Sequence, residues 1–226
     1  MGASPLLILG SGSPRRRELL TAAGLSFEVE VAGVDEDLPE PRSTADGEPA
    51  EAPWGDRAEE AATVLAERKA RAVAEAHAGE NVLVLGADTI VVAHGRLLGK
   101  PEGPAEARSM LGQLAGDRHQ VVTGVSVIRC LDGRVRTGWE RTWVTMRALS
   151  PEEIEAYVSG GEWADKAGGY GIQGAAGAFV TGLEEGGQDN VVGLPVALSL
   201  GLLGDQGASL PGTAPGGGAR DADGTD

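Results

Sequence analysis

The sequence predicts an α/β fold built on a mixed sheet. Short apolar runs alternate with helical patterns early in the 226-residue chain. Longer runs then succeed one another in the manner of antiparallel pairs. Turn residues also stand where hairpins need them, at His94-Gly95 and Asp132-Gly133.

Strand-like runs cover residues 6–9, 27–31, 82–86, 90–93, 121–128 and 135–146, the last of them long and alternating. Helical patterns cover residues 14–23, 57–78, 104–114, 151–159 and 192–203. Residues 39–55 read as a flexible loop. The body is expected over residues 1–204. Residues 205–226 are rich in Gly, Pro, Ala and Asp with almost no bulky apolar side chain, so they are expected to form a disordered tail.

The length suits one large domain or two small lobes with an ample core. The net charge is −15, which argues against a nucleic-acid polymer as partner. The acid is concentrated. Residues 33–60 hold ten Asp or Glu against Arg42 and Arg57, a net of −8. Basic residues cluster instead near Ser13, Lys69, Lys100 and Lys166. A locally basic site in an acidic protein suits a small anionic substrate. Cys130 is the only cysteine, so an intramolecular disulfide and a multi-cysteine metal site are excluded. His77, His94 and His119 lack zinc-type spacing. No apolar run reaches about 18 residues, and the N-terminal apolar run lacks a basic leader. The expectation is a cytoplasmic protein with no membrane partner.

The first strand-like run leads into Gly10-Ser11-Gly12-Ser13-Pro14-Arg15-Arg16-Arg17. Ser13 suits an N-cap and Pro14 the first helical position, where its missing N–H costs nothing. Three arginines then sit at the positive end of the helix dipole, where each is disfavoured by roughly 0.3–1 kcal/mol. Unpaired helical N–H groups, a small-residue turn and guanidinium groups together make a site for phosphate. The competing reading is a set of solvated surface arginines.

Asp88 interrupts two apolar runs that both want burial. A carboxylate there must be paired or metal-bound, or else cap a turn between two strands. As a functional group it is a metal ligand or general base at the mouth of the sheet. Lys100, between Gly99 and Pro101, can reach a phosphate as a point charge. Lys69 reads, on the residues alone, as one more charge on an amphipathic helix. Glu36 either joins Asp88 around a divalent cation or belongs to the acidic loop. The stretch 165–177 embeds Asp, Lys, Tyr and Gln among glycines that let a backbone approach a ligand closely. Gln173 offers both a donor and an acceptor, as reading a base edge requires.

Together these stretches resemble the Maf-like nucleotide pyrophosphatases, relatives of the inosine triphosphate pyrophosphatases. The resemblance runs from about Leu6 to Leu203 in eight ordered motifs. They include Ser11-Gly12-Ser13-Pro14-Arg15-Arg16, Val34-Asp35-Glu36, Leu65-Ala66-Glu67-Arg68-Lys69-Ala70 and Gly86-Ala87-Asp88-Thr89. Further along come Gly99-Lys100-Pro101, His119-Gln120-Val121-Val122-Thr123-Gly124-Val125, residues 165–174, and Asn190-Val191-Val192-Gly193-Leu194-Pro195.

The resemblance implies a single catalytic domain: a long mixed twisted sheet flanked by helices, with two lobes and a central cleft. It implies hydrolysis of a nucleoside triphosphate to the monophosphate and pyrophosphate, with Mg²⁺ or Mn²⁺. Many members form homodimers. Asp88 aligns with the proton acceptor and a metal position, and Glu36 with a second metal position. Ser13, Arg15, Arg16, Lys69, Thr89, Lys100, Lys166 and Gln173 align with substrate-binding positions, which promotes Lys69. Arg16, Thr89 and Gln173 match the branch acting on dTTP and UTP rather than the one acting on 7-methyl-GTP. Two departures are an insertion around residues 42–55 and the loss of an aromatic residue in Gly186-Gly187-Gln188-Asp189-Asn190. One rival is a dinucleotide-dependent oxidoreductase, opposed by Arg15 at the third-glycine position of the fingerprint. Another is a nucleotide-binding division regulator without turnover.

Overall fold

The computed structural model describes residues 4–31, 33–34, 54 and 57–211. A seven-stranded mixed sheet forms its spine, in line with the α/β expectation. The strands are β1 (Leu6–Leu9), β2 (Glu28–Val29), β3 (Val82–Ala93), β4 (Arg96–Leu98), β5 (Arg118–Arg129), β6 (Arg134–Met146) and β7 (Val180–Glu184). Their order is β2-β1-β3-β5-β6-β7, with β4 also paired to β3. The helices are α1 (Pro14–Ala22), α2 (Ala58–Ala74), α3 (Pro104–Leu114), α4 (Pro151–Ser159), α5 (Gln188–Val192) and α6 (Val196–Asp205).

Two expected strands prove to be one. Residues 82–93 run unbroken through Asp88, which lies opposite Gly124 in the β3–β5 register. Asp88 is therefore not a turn residue; an ion pair described below compensates its carboxylate inside the strand. The 27–31 run shortens to Glu28–Val29, and β7 carried too little alternation to be read in advance. The expected 192–203 helix starts later, as α6 at Val196, because Gly193, at φ 126°, and Pro195 interrupt it, and the short α5 before them was not expected. The expected hairpins are present: His94 and Gly95 both take positive φ, 49° and 70°, between Ala93 and its partner Arg96.

Helix α2 covers one sheet face at unusually close range. Ala62, Ala66 and Ala70 are fully buried along one of its sides. Beneath them lie Gly86 and Gly124. A Cβ on Gly86 would sit 2.5 Å from the Ala66 carbonyl oxygen, and one on Gly124 would sit 2.3 Å from the Ala62 carbonyl. Any side chain at either place would lift the helix.

The opposite face carries two separate apolar cores. One joins Leu7, Leu9, Leu85 and Val127 to α1 and α6. The other joins Val91, Val121, Val144 and Met146 to α3, α4 and Tyr170. The body also runs past the expected limit of residue 204. Gln206 is buried and donates to the Val127 and Arg134 carbonyls, and Ala208 and Leu210 pack on the first core. The remainder of the expected tail, residues 212–226, lies outside the described residues, as does the 39–55 loop apart from Trp54.

Candidate active site

The sheet is open on one edge of β3. Strand β1 pairs with β3 only as far as Leu85, and β4 pairs with it only from Val91. Residues 86–90 thus face no strand on that side among the described residues. A cleft of about 890 Å³ enters there, between the two apolar cores. Ser13, Arg15, Arg16, Lys69, Asp88, Thr89, Lys100, Lys166 and Gln173 all line it. These nine residues, widely separated in sequence, are brought together. Glu36 lies outside the described residues.

The turn after β1 is built as its residues require. Ser13 has extended backbone angles and its hydroxyl accepts from the Arg16 N–H, with Pro14 at the first helical position. Of the three arginines, Arg15 and Arg16 line the cleft, while Arg17 is exposed and does not. Arg16 is built into the wall. Its Nε donates to the Gly193 carbonyl at 2.8 Å, one terminal nitrogen to Ser11 Oγ at 3.0 Å and the other to Thr89 Oγ1 at 3.2 Å. The bonds continue from Thr89 to Thr123 at 2.9 Å and from Thr123 Oγ1 to the Asn190 carbonyl at 3.0 Å. Asn190 is fully buried and its Nδ2 donates to the Val121 carbonyl and to Thr142 Oγ1. This network ties α1, β3, β5, β6 and α5 together. Single-residue reasoning could not see it, because Thr89, Thr123 and Asn190 are ordinary polar residues within or beside apolar runs.

Lys69 corrects the reading of the residues alone. It is no solvated helix charge: its Nζ lies 2.5 Å from Asp88 Oδ1, and both side chains are largely buried. The close seat of α2 on Gly86 and Gly124 places the two groups in reach. Either charge alone would be costly so far from water, and together they compensate each other.

The third wall is the 165–174 stretch. Lys166 donates to the Glu162 and Ala164 carbonyls. Its ammonium is held below the usual lysine range by burial first and by the Arg15 charge second. Two like charges facing one another across a cleft are a standing invitation to an anion. Lys100 is exposed just beyond the end of β4, and Gln173 is exposed at the cleft mouth. Glu162, unremarked in the sequence, also lines the cleft, and its Oε2 accepts from the Ala175 N–H at 3.0 Å.

Five basic side chains line this cleft against three acidic ones, in a chain of net charge −15. Among the described residues no group of three or more His, Cys, Asp or Glu is placed to hold a metal ion. No helix of the described residues is long and apolar enough to cross a membrane.

The fold and cleft thus define an α/β protein with a predominantly basic cleft around a buried carboxylate–ammonium pair. The family profile described as Maf-like protein matches residues 6–206, and the chain belongs to that family. It is similar to the dTTP/UTP pyrophosphatase of Moorella thermoacetica, 48% identical over 191 residues, covering 84% of this chain and 89% of the relative. It is similar to the dTTP/UTP pyrophosphatase of Pelotomaculum thermopropionicum, 46% identical over 191 residues, covering 84% and 91%. A dTTP/UTP pyrophosphatase of Anaeromyxobacter sp. is 46% identical over 222 residues, covering 95% and 96%.

Proposed function

We propose that this protein hydrolyses dTTP and UTP to the nucleoside monophosphate and pyrophosphate. The observation that carries the reading is the basic cleft with the Lys69–Asp88 pair set in its wall at 2.5 Å. The names of the relatives at 46–48% identity support both the reaction and the pyrimidine substrates.

In this reading Arg15, Lys100 and Lys166 hold the triphosphate, with Ser13 and the N-terminus of α1 beside it. Asp88 orients the attacking water and takes its proton. The water oxygen bonds to the α-phosphorus, the bridge to the β-phosphate breaks, and pyrophosphate leaves. Lys69 fixes the carboxylate and keeps a positive charge beside the phosphates. Such a site works by positioning and charge compensation rather than by a covalent intermediate. Arg16 and Thr89 shape the wall through their mutual bond, and Gln173 meets the base edge.

The Asp88 carboxylate beside a polyphosphate fits Mg²⁺ or Mn²⁺, which take few protein ligands and complete their shell with phosphate oxygens and water. Asp88, with Glu36, would hold the ion, which supplies further charge neutralisation on the phosphates. The reading extends to one catalytic domain of two lobes, a homodimer and a cytoplasmic location.

The test is product analysis by phosphorus NMR after incubation with Mg²⁺ or Mn²⁺ and dTTP, UTP, CTP or 7-methyl-GTP. Pyrophosphate with dTMP or UMP is expected. Orthophosphate with a diphosphate would place the cleavage at the wrong bond. Tight binding with no products would favour the regulator reading.

A further inference from the structure

The wall that carries Lys166 and Gln173 has little regular secondary structure of its own. Gly168 and Gly169 both take φ of 70°, a left-handed conformation that favours glycine, and both are buried, Gly168 against Val91 and Gly169 against Pro101 and Ala107. Its form therefore depends on what anchors it. The Gly168 N–H donates to the Gly99 carbonyl at 2.9 Å, which joins the loop to the segment bearing Lys100. The Gly171 N–H donates to the Tyr157 hydroxyl at 3.3 Å. Between them Tyr170 turns down into the core beneath the cleft, where its hydroxyl meets His119 Nε2 at 2.8 Å.

This last anchor is a buried polar pair. His119 lies on β5, 1% exposed, and Tyr170 is 6% exposed. Their rings meet edge-on at 5.4 Å. Burial pushes the imidazole down to about 4 and pushes the phenol up, so the bond joins two neutral groups. His119 Nδ1 has no hydrogen-bond partner and is buried. The site thus keeps one unpaired polar atom for the sake of a single bond to the loop. An apolar pair of the same shape would avoid that penalty. Neither residue has a part in the hydrolytic step described above.

We propose that His119 and Tyr170 are a positioning pair. Their bond seats the 165–174 loop so that Lys166 and Gln173 present themselves to the nucleotide. The inference rests on the proposed function for its choice of ligand. It concerns binding and base reading, not hydrolysis.

The experiment compares wild type, Tyr170→Phe and the double variant His119→Leu/Tyr170→Phe. Melting temperature is measured, together with affinity for the non-hydrolysable α,β-methylene analogue of UTP and KM and kcat for UTP. Tyr170→Phe should lower the melting temperature, weaken analogue binding and raise KM by about tenfold, and leave kcat within about twofold. The double variant should regain melting temperature, because an apolar pair leaves no buried polar atom unmatched. It should not regain affinity. Affinity that returns together with melting temperature would show a purely structural role and overturn the proposal, as would wild-type affinity in Tyr170→Phe. Wild type that binds the analogue but releases no pyrophosphate from UTP would overturn the proposed activity, while the binding measurements still decide the pair. Wild type that does not bind the analogue would overturn both.

Discussion

Two walls of the cleft are held in different ways. On one side α2 lies against β3 and β5 with backbone on backbone, through Ala62 and Ala66 over Gly124 and Gly86. The Lys69–Asp88 pair stands on that wall. On the other side the 165–174 loop is seated by side-chain packing of Tyr170 on the core and by single hydrogen bonds to Gly99, Tyr157 and His119, with no helix laid against the sheet backbone. The difference suggests a division of labour. Groups that must hold an attacking water need fixed geometry, whereas groups that read a base tolerate, and can use, an adjustable support.

The sharpest way to break this comparison is the same kind of change on each wall. A Cβ at Gly124 would lie 2.3 Å from the backbone of Ala62, which cannot move without lifting α2. Gly124→Val should leave no soluble folded protein, as read by circular dichroism and gel filtration. A Cβ at Gly174 would meet Glu162 Oε2 at 2.0 Å, the far end of a flexible side chain. Gly174→Ala should fold, with a raised KM for UTP. Equal collapse of both variants would mean that the two walls are equally rigid.

Lys69→Met should come next in size. It leaves the Asp88 carboxylate without its compensating charge, and kcat should fall by at least about tenfold, with a lower melting temperature. A smaller effect is expected at the mouth. Gln173→Glu removes the amide donor and adds a negative charge. It should weaken turnover of dTTP and UTP and change the ranking of kcat/KM across dTTP, UTP, CTP and 7-methyl-GTP. An unchanged ranking would remove Gln173 from base reading.

The two partly or fully buried histidines give a subtler contrast. His119 is held at about 4 by burial, against 6.5 when unfolded. The unfolded chain takes up the proton first, so its contribution to stability is complete above 6.5 and is lost as pH falls towards 4. The loss is on the order of 3 kcal/mol. His77 is raised by its bonds to Glu80 and Glu30. Its contribution is complete below 6.5 and is lost as pH rises through the folded value. Calorimetry should find that His119→Leu flattens the acid side of the stability curve. His77→Gln should lower the melting temperature more at pH 6 than at pH 8.

Much of this was legible in the chain. The strand, turn and helix around Ser13-Pro14 follow directly from capping chemistry, and the hairpin at His94-Gly95 from its turn residues between two apolar runs. Ser13, Arg15, Arg16, Asp88, Lys100 and Gln173 stood out from residue chemistry, whereas Lys69 and Thr89 came forward only through the resemblance. Lys69 shows why local physics alone fell short. Its role depends on glycines at 86 and 124, distant in sequence, which let α2 sink onto the sheet. The turn alternative for Asp88 stayed open because its ion-pair partner could not be known from the sequence. The Arg16–Thr89–Thr123–Asn190 network and the His119–Tyr170 bond were hidden for the same reason: each joins ordinary polar residues that only the tertiary fold makes neighbours. Glu36 carried a clear expectation as a metal ligand but lies outside the described residues.

The claim that the chemistry belongs to the rigid wall is tested most directly by pyrophosphate release from UTP by Asp88→Asn. Asparagine keeps the size of the side chain and removes the charge. The variant should remain folded and bind UTP with KM near wild type, while kcat falls by at least about 10². A folded Asp88→Asn protein with kcat close to wild type would contradict the account and leave Asp88 as a structural partner of Lys69.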